Sequence, residues 1–131
     1  MGLDTTHNCW HGPYSAFSRF RNALVEAAGI PLTGDGRFDS ADIDWDQFKD
    51  GNFYGEWQTP PDDPLYILIV HSDCEGVIKA EHAPHLAERI EQLIPSLPPD
   101  GPDRDRWQAA ARLFVYGLRQ AAAANEDVGF M

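Results

Sequence analysis

Leu65-Tyr66-Ile67-Leu68-Ile69-Val70 is the longest uninterrupted apolar run in the chain. It is rich in β-branched residues and ends at His71. A short continuous run of this kind predicts a central strand buried on both faces. Working outward, Ser72 to Gly76 reads as a polar turn, and Val77-Ile78-Lys79 as a brief returning strand.

On the N-terminal side, residues 30–64 carry several glycines, a concentration of acidic residues, and Pro60-Pro61. Interleaved with them are Phe38, Trp45, Phe48, Phe53, Tyr54 and Trp57. This composition predicts a long aromatic-rich loop that packs down on the rest of the chain, with one short helix near Asp44 to Lys49. Asp42, Asp44 and Asp46 have the spacing that opens a calcium loop. Gln47 and Phe53, however, stand where such a loop needs Gly and Glu, so an EF-hand is excluded. Before the loop, Tyr14, Phe17, Phe20, Leu24 and Ala28 recur at helical spacing between Gly12-Pro13 and Gly29, predicting a helix over 13–28. Arg19, Arg21 and Glu26 fall largely off its apolar face. Gly2 to His7 reads as a first strand.

On the C-terminal side, Ala83, Leu86, Ile90, Leu93 and Ile94 predict a second amphipathic helix over 84–94. Pro95, Pro98, Pro99 and Gly101 end it. Trp107, Ala110, Ala111, Phe114, Leu118 and Ala121 line a third helix over 103–124, with Asp103 and Asp105 in its first turn. Asp127 to Phe130 reads as a terminal strand or a tail. The expected fold is therefore one α+β domain over 1–131 with a small α/β-like core. It has a short sheet of two to four strands including 65–70, three helices, and the loop 30–64.

The chain has 131 residues, 43% of them hydrophobic and 24% charged, which is ordinary globular usage. The formal net charge is -11 with no basic stripe, which disfavours nucleic acid and anionic membranes. Two cysteines are too few for a disulfide framework, and no basic stretch leads into an apolar run at the N-terminus. Together these predict a reducing cytoplasm. No apolar run is long enough to span a bilayer.

If strand 1, helix 1 and strand 65–70 form a right-handed crossover, the two strands are parallel and their C-terminal ends adjoin. His7-Asn8-Cys9-Trp10-His11 then lies beside His71-Ser72-Asp73-Cys74-Glu75-Gly76, at the edge where α/β sheets hold ligands. His82 and His85, at the start of the second helix, come close as well. Three readings follow. Cys9, His11, His71 and Cys74 form a two-Cys, two-His set suited to zinc. Alternatively His71, oriented by Asp73, is a general acid or base, with Cys9 or Cys74 as nucleophile. In the third, the histidines and thiols only satisfy the fold. A ligand at this cluster would meet His7, Trp10, Tyr14, Ser72 and Glu75.

The segments Gly2-Leu3-Asp4-Thr5-Thr6-His7 and Cys9-Trp10-His11-Gly12-Pro13-Tyr14-Ser15-Ala16-Phe17 resemble the opening of a family of small uncharacterised bacteriophage and bacterial proteins. His71-Ser72-Asp73-Cys74-Glu75-Gly76 resembles that family's second signature, in which Asp is usual where this chain has Glu75. The likeness spans most of the chain outside 30–64. It implies a phage or prokaryotic cytoplasm and brings no activity with it. The expected function is a binding module for a small molecule, metal or host protein. A hydrolase using the same cluster, or an assembly protein without a site, are the alternatives.

Overall fold

The computed structural model describes residues 2–30 and 50–131. The predicted helix near Asp44 to Lys49 and the acidic triplet Asp42, Asp44, Asp46 lie outside them. Strand β1 (Gly2–Asp4) pairs antiparallel with β2 (His11–Pro13), with Leu3 opposite Gly12. Helix α1 (Tyr14–Ala27) follows directly, and after the 50–64 segment comes α2 (Leu65–Ile69). Then come β3 (Val77–Ile78), α3 (Ala83–Leu93), α4 (Arg106–Ala124) and β4 (Val128–Gly129). The last strand pairs antiparallel with β3, so the C-terminal residues are a strand. The result is a small α+β fold, with two short two-stranded ladders among the described residues.

The run 65–70 is a helix, not a strand. Periodicity alone does not separate a buried helical turn from a buried strand when every position is apolar. The deciding contacts are local and tertiary. Asp63 accepts a hydrogen bond from the Leu65 amide at 3.0 Å, and Pro64 holds helical dihedrals ahead of the first turn. All five residues of α2 are buried. A lone helical turn is unstable by itself, so this one exists because α1 and α3 enclose it. With no strand there, the predicted parallel crossover is absent: β1 pairs with β2 through a hairpin instead.

The three long helices follow their sequence patterns. Phe17, Phe20 and Leu24 of α1, Leu86 and Ile90 of α3, and Phe114 and Leu118 of α4 are fully buried. Each such side chain contributes about 1.5–3 kcal/mol by leaving water. Asp103 and Asp105 precede α4 rather than occupying its first turn, with Asp105 at the N-cap position. Trp10 stacks on Phe20 with ring centroids 5.3 Å apart and meets Phe17 edge-on, joining the hairpin to the core. Gly117 lets the hairpin loop lie directly on α4, because a Cβ there would come within 2.5 Å of the Cys9 Sγ and 2.7 Å of the His7 carbonyl oxygen. Of the aromatics in the 50–64 segment, Trp57 packs down, whereas Phe53 and Tyr54 are half-exposed. No helix among the described residues is long and apolar enough to cross a membrane.

Candidate functional site

His71 is the structural centre of its segment. It is 3% exposed, and its Nδ1 and Nε2 lie 2.7 Å from the carbonyl oxygens of Ser72 and Val77 respectively. The ring therefore ties together both ends of the 72–77 turn, and it lies on Phe130 with centroids 4.1 Å apart. Burial holds its pKa below the ordinary histidine value and the Arg21 guanidinium acts in the same sense, while the Ser72 and Val77 carbonyls oppose them. The ring is buried and each nitrogen faces a carbonyl oxygen, so neither is presented to a substrate, which removes the geometric basis for His71 as general acid or base. Asp73 is not hydrogen-bonded to it. Instead the Asp73 charge acts on Arg21, partly offsetting the burial that lowers the Arg21 pKa to about 10.

Arg21 departs from its expected place off the apolar face of α1. It is 6% exposed, with its guanidinium 4.6 Å from the centre of the Phe17 ring. Its Nη1 donates to the His71 carbonyl at 2.6 Å and more weakly to the Leu68 carbonyl at 3.4 Å. These oxygens sit at the C-terminal end of α2, where a cation offsets the partial negative charge. A long flexible stem lets Arg reach into such a position from the margin of an apolar face, and residue spacing alone does not reveal it.

The first signature forms the hairpin loop. Thr5 exchanges backbone and side-chain bonds with Trp10, and Thr6 Oγ1 accepts from the Gly129 amide at 2.8 Å. His7 and Asn8 turn the chain through left-handed dihedrals, with φ of 61° and 58°. The His7 ring spans from Thr6 Oγ1 to Glu126 Oε1, and the exposed His11 ring meets Asp4 Oδ1 at 3.1 Å. Tyr14 is partly buried against the core. Cys9 is 1% exposed, and burial pushes its thiol pKa up to about 12 despite an opposing hydrogen bond from Thr5.

The two signatures therefore do not build a common reactive cluster. Among the described residues no three His, Cys, Asp or Glu side chains stand close enough to hold a metal ion. The expected zinc set of Cys9, His11, His71 and Cys74 is not assembled: Cys9 is a buried protonated thiol, His11 is on the exposed hairpin, and His71 is consumed by backbone carbonyls. The expected ligand contacts His7, Trp10, Tyr14, Ser72 and Glu75 are divided among the hairpin, the core and the 72–77 turn. The physical reason is the missing crossover, since only parallel strands would have aligned the two segments. Cys74 is exposed at the tip of its turn, beside Ser72 Oγ at 3.5 Å. Iodoacetamide is expected to alkylate native protein once, at Cys74, with Cys9 reacting only in denaturant. Prompt modification of Cys9 in the native state, read by peptide mass spectrometry, would contradict its burial.

The structure gathers a different set of residues. A cleft of about 440 Å³ opens between the 57–64 segment, α2 and the start of α3. Trp57 and Ile67, 6% and 1% exposed, supply buried apolar lining. Pro60, Pro61 and Pro64 stiffen the wall on one side. That wall is anchored by Asp63, whose carboxylate takes a two-pronged ion pair from Arg89 at 3.0 and 3.2 Å. His82 and His85, at the start of α3, also line the cleft, as do the acidic residues Asp62 and Glu81. His82 is 6% exposed, and its Nε2 is buried without a hydrogen-bond partner, 3.9 Å from Glu81 Oε1.

Sequence reasoning noticed His82 and His85 but attached them to the wrong neighbours, and it did not single out Trp57, Asp62 or Glu81. Two signals were present: a tryptophan just ahead of a proline-rich wall, and His-x-x-His at a helix start. Comparison with protein-family models, with curated proteins and with solved structures finds no match.

Proposed function

We propose that the protein is a binding module that takes a small organic molecule in the cleft between Trp57, Ile67 and His82. One observation carries this reading: a nearly fully buried imidazole with an unpartnered Nε2 lines a preformed, partly apolar cavity. Such an atom costs about 1–3 kcal/mol while unsatisfied, and a ligand hydrogen bond would recover much of it. The cavity volume falls in the range of about 300–1,000 Å³ typical of small-molecule sites. The net charge of -11 counts against a polyphosphate partner, and the reading fits the cytoplasmic setting expected from the free thiols.

A fragment screen followed by amide and indole NMR signals tests the reading. Hits are expected to shift the Trp57 indole N–H and the amides of 57–67 and 81–85. Replacing His82 with Ala is expected to weaken those hits about tenfold, the loss of one buried hydrogen bond. If a broad panel leaves these signals still, or shifts only distant ones, the cleft is not a binding site.

A further inference from the structure

We infer that the ligand of this cleft is an organic cation, an amine or guanidine carried on a compact apolar body. The inference rests on the binding role proposed above and assigns its ligand class. Two observations point the same way.

The first is the charge of the lining. Asp62 and Glu81 both lie on the cleft, and no Lys or Arg is among the described residues that line it. Arg89, close by on α3, is already held by the Asp63 carboxylate. The start of α3 also faces this region and contributes a positive end of about half an elementary charge. Two full carboxylates outweigh that half charge, so the local field favours a cation and penalises an anion. The chain as a whole adds to the same field, with 21 acidic against 10 basic residues.

The second observation is one of hydrogen-bond geometry. The unpartnered His82 Nε2 is an acceptor when the ring carries its proton on Nδ1. An ammonium or guanidinium group presents several N–H donors on one centre. It can therefore bond Nε2 and Glu81 Oε1 together, since these atoms stand only 3.9 Å apart. A neutral hydroxyl has one proton and serves one of them. Trp57, Ile67 and the prolines would meet the apolar body.

Three matched probes decide the matter: benzylamine, benzyl alcohol and benzoate, titrated at neutral pH into the native 131-residue chain and read by the Trp57 and 81–85 NMR signals. Benzylamine is expected to bind tightest and benzoate weakest. Glu81→Gln and Asp62→Asn, both on exposed side chains that leave the core intact, are each expected to weaken benzylamine about threefold and leave benzyl alcohol unchanged. If benzyl alcohol or benzoate binds the cleft as well as benzylamine does, the cation class is wrong while the binding role stands. The same holds if benzylamine is silent but other fragments shift these signals. If no fragment of any class shifts them, the binding role falls with it.

Discussion

Gly55→Ala is expected to lower the unfolding free energy by more than about 3 kcal/mol, a large share of what a domain of this size possesses. Gly55 is buried, with φ of 85°, in the left-handed region that a Cβ disfavours by about 1–2 kcal/mol. The larger part of the cost is contact. An added Cβ would overlap the Val77 carbonyl oxygen, standing 2.7 Å from its carbon and 3.1 Å from His71 Nε2. That oxygen is the one His71 Nε2 bonds, and Val77 also donates its amide to the Tyr54 carbonyl at 2.9 Å. Moving it breaks the tie between the 52–55 turn, the 72–77 turn and the β3–β4 ladder together. Gly29→Ala is the matched control: its φ is 78°, but nothing lies within 4 Å of the added methyl, so only the same backbone cost of about 1–2 kcal/mol applies. Chemical denaturation followed by circular dichroism compares them. Equal losses for both variants would mean that Gly55 does not dock on Val77.

His71→Ala is expected to cost about 3–5 kcal/mol near neutral pH, because it strips the ring N–H donor from one of the two part-buried carbonyls the neutral ring lies between and removes the ring packed on Phe130. This loss has a pH signature. The folded-state pKa of His71 is lowered, chiefly by burial, so the unfolded chain takes up its proton at a higher pH than the folded one. Stability from this residue is complete above the unfolded histidine value of about 6.5 and declines as pH falls below it. The stability gap between the parent protein and His71→Ala should therefore narrow on going from about pH 7.5 to about pH 5.5, a window set by the unfolded histidine value. Arg21 and the Asp73 that faces it remain in both proteins, so their contributions cancel in the difference. A gap that widens on acidification would show the opposite. The imidazolium, donating to both the Ser72 and Val77 carbonyls, would then be the favoured buried form.

The helices around 13–28, 84–94 and 103–124 were legible because each buries one stripe of a repeating pattern. Phe17, Phe20 and Leu24, or Trp107, Phe114 and Leu118, announce that stripe without help from the rest of the chain. The terminal ladder was half legible: Val77-Ile78 and Val128-Gly129 read as strand-like, but their pairing with each other was not written in either segment. The unusual residues of both signatures were also visible, but the sequence left their role open between a metal site, catalysis and support of the fold. His71, Cys9 and Asp73 look like chemistry in a sequence. In the fold, the first fastens a turn, the second lies under α4, and the third balances Arg21.

Local pattern thus determined where the long amphipathic helices run, because burying one face of a helix depends only on side chains three and four positions apart. Composition determined that the chain is acidic and globular. The tertiary structure alone decided that Leu65 to Ile69 is a helix, since a short wholly apolar run is equally content in either conformation until neighbours surround it. That choice abolished the parallel crossover, and the two signatures instead each bond the C-terminal segment, through Thr6 to Gly129 and through Gly76 to Phe130. It also placed Ile67 on one cleft with His82 and Trp57, a gathering of three separate segments that no local spacing encodes.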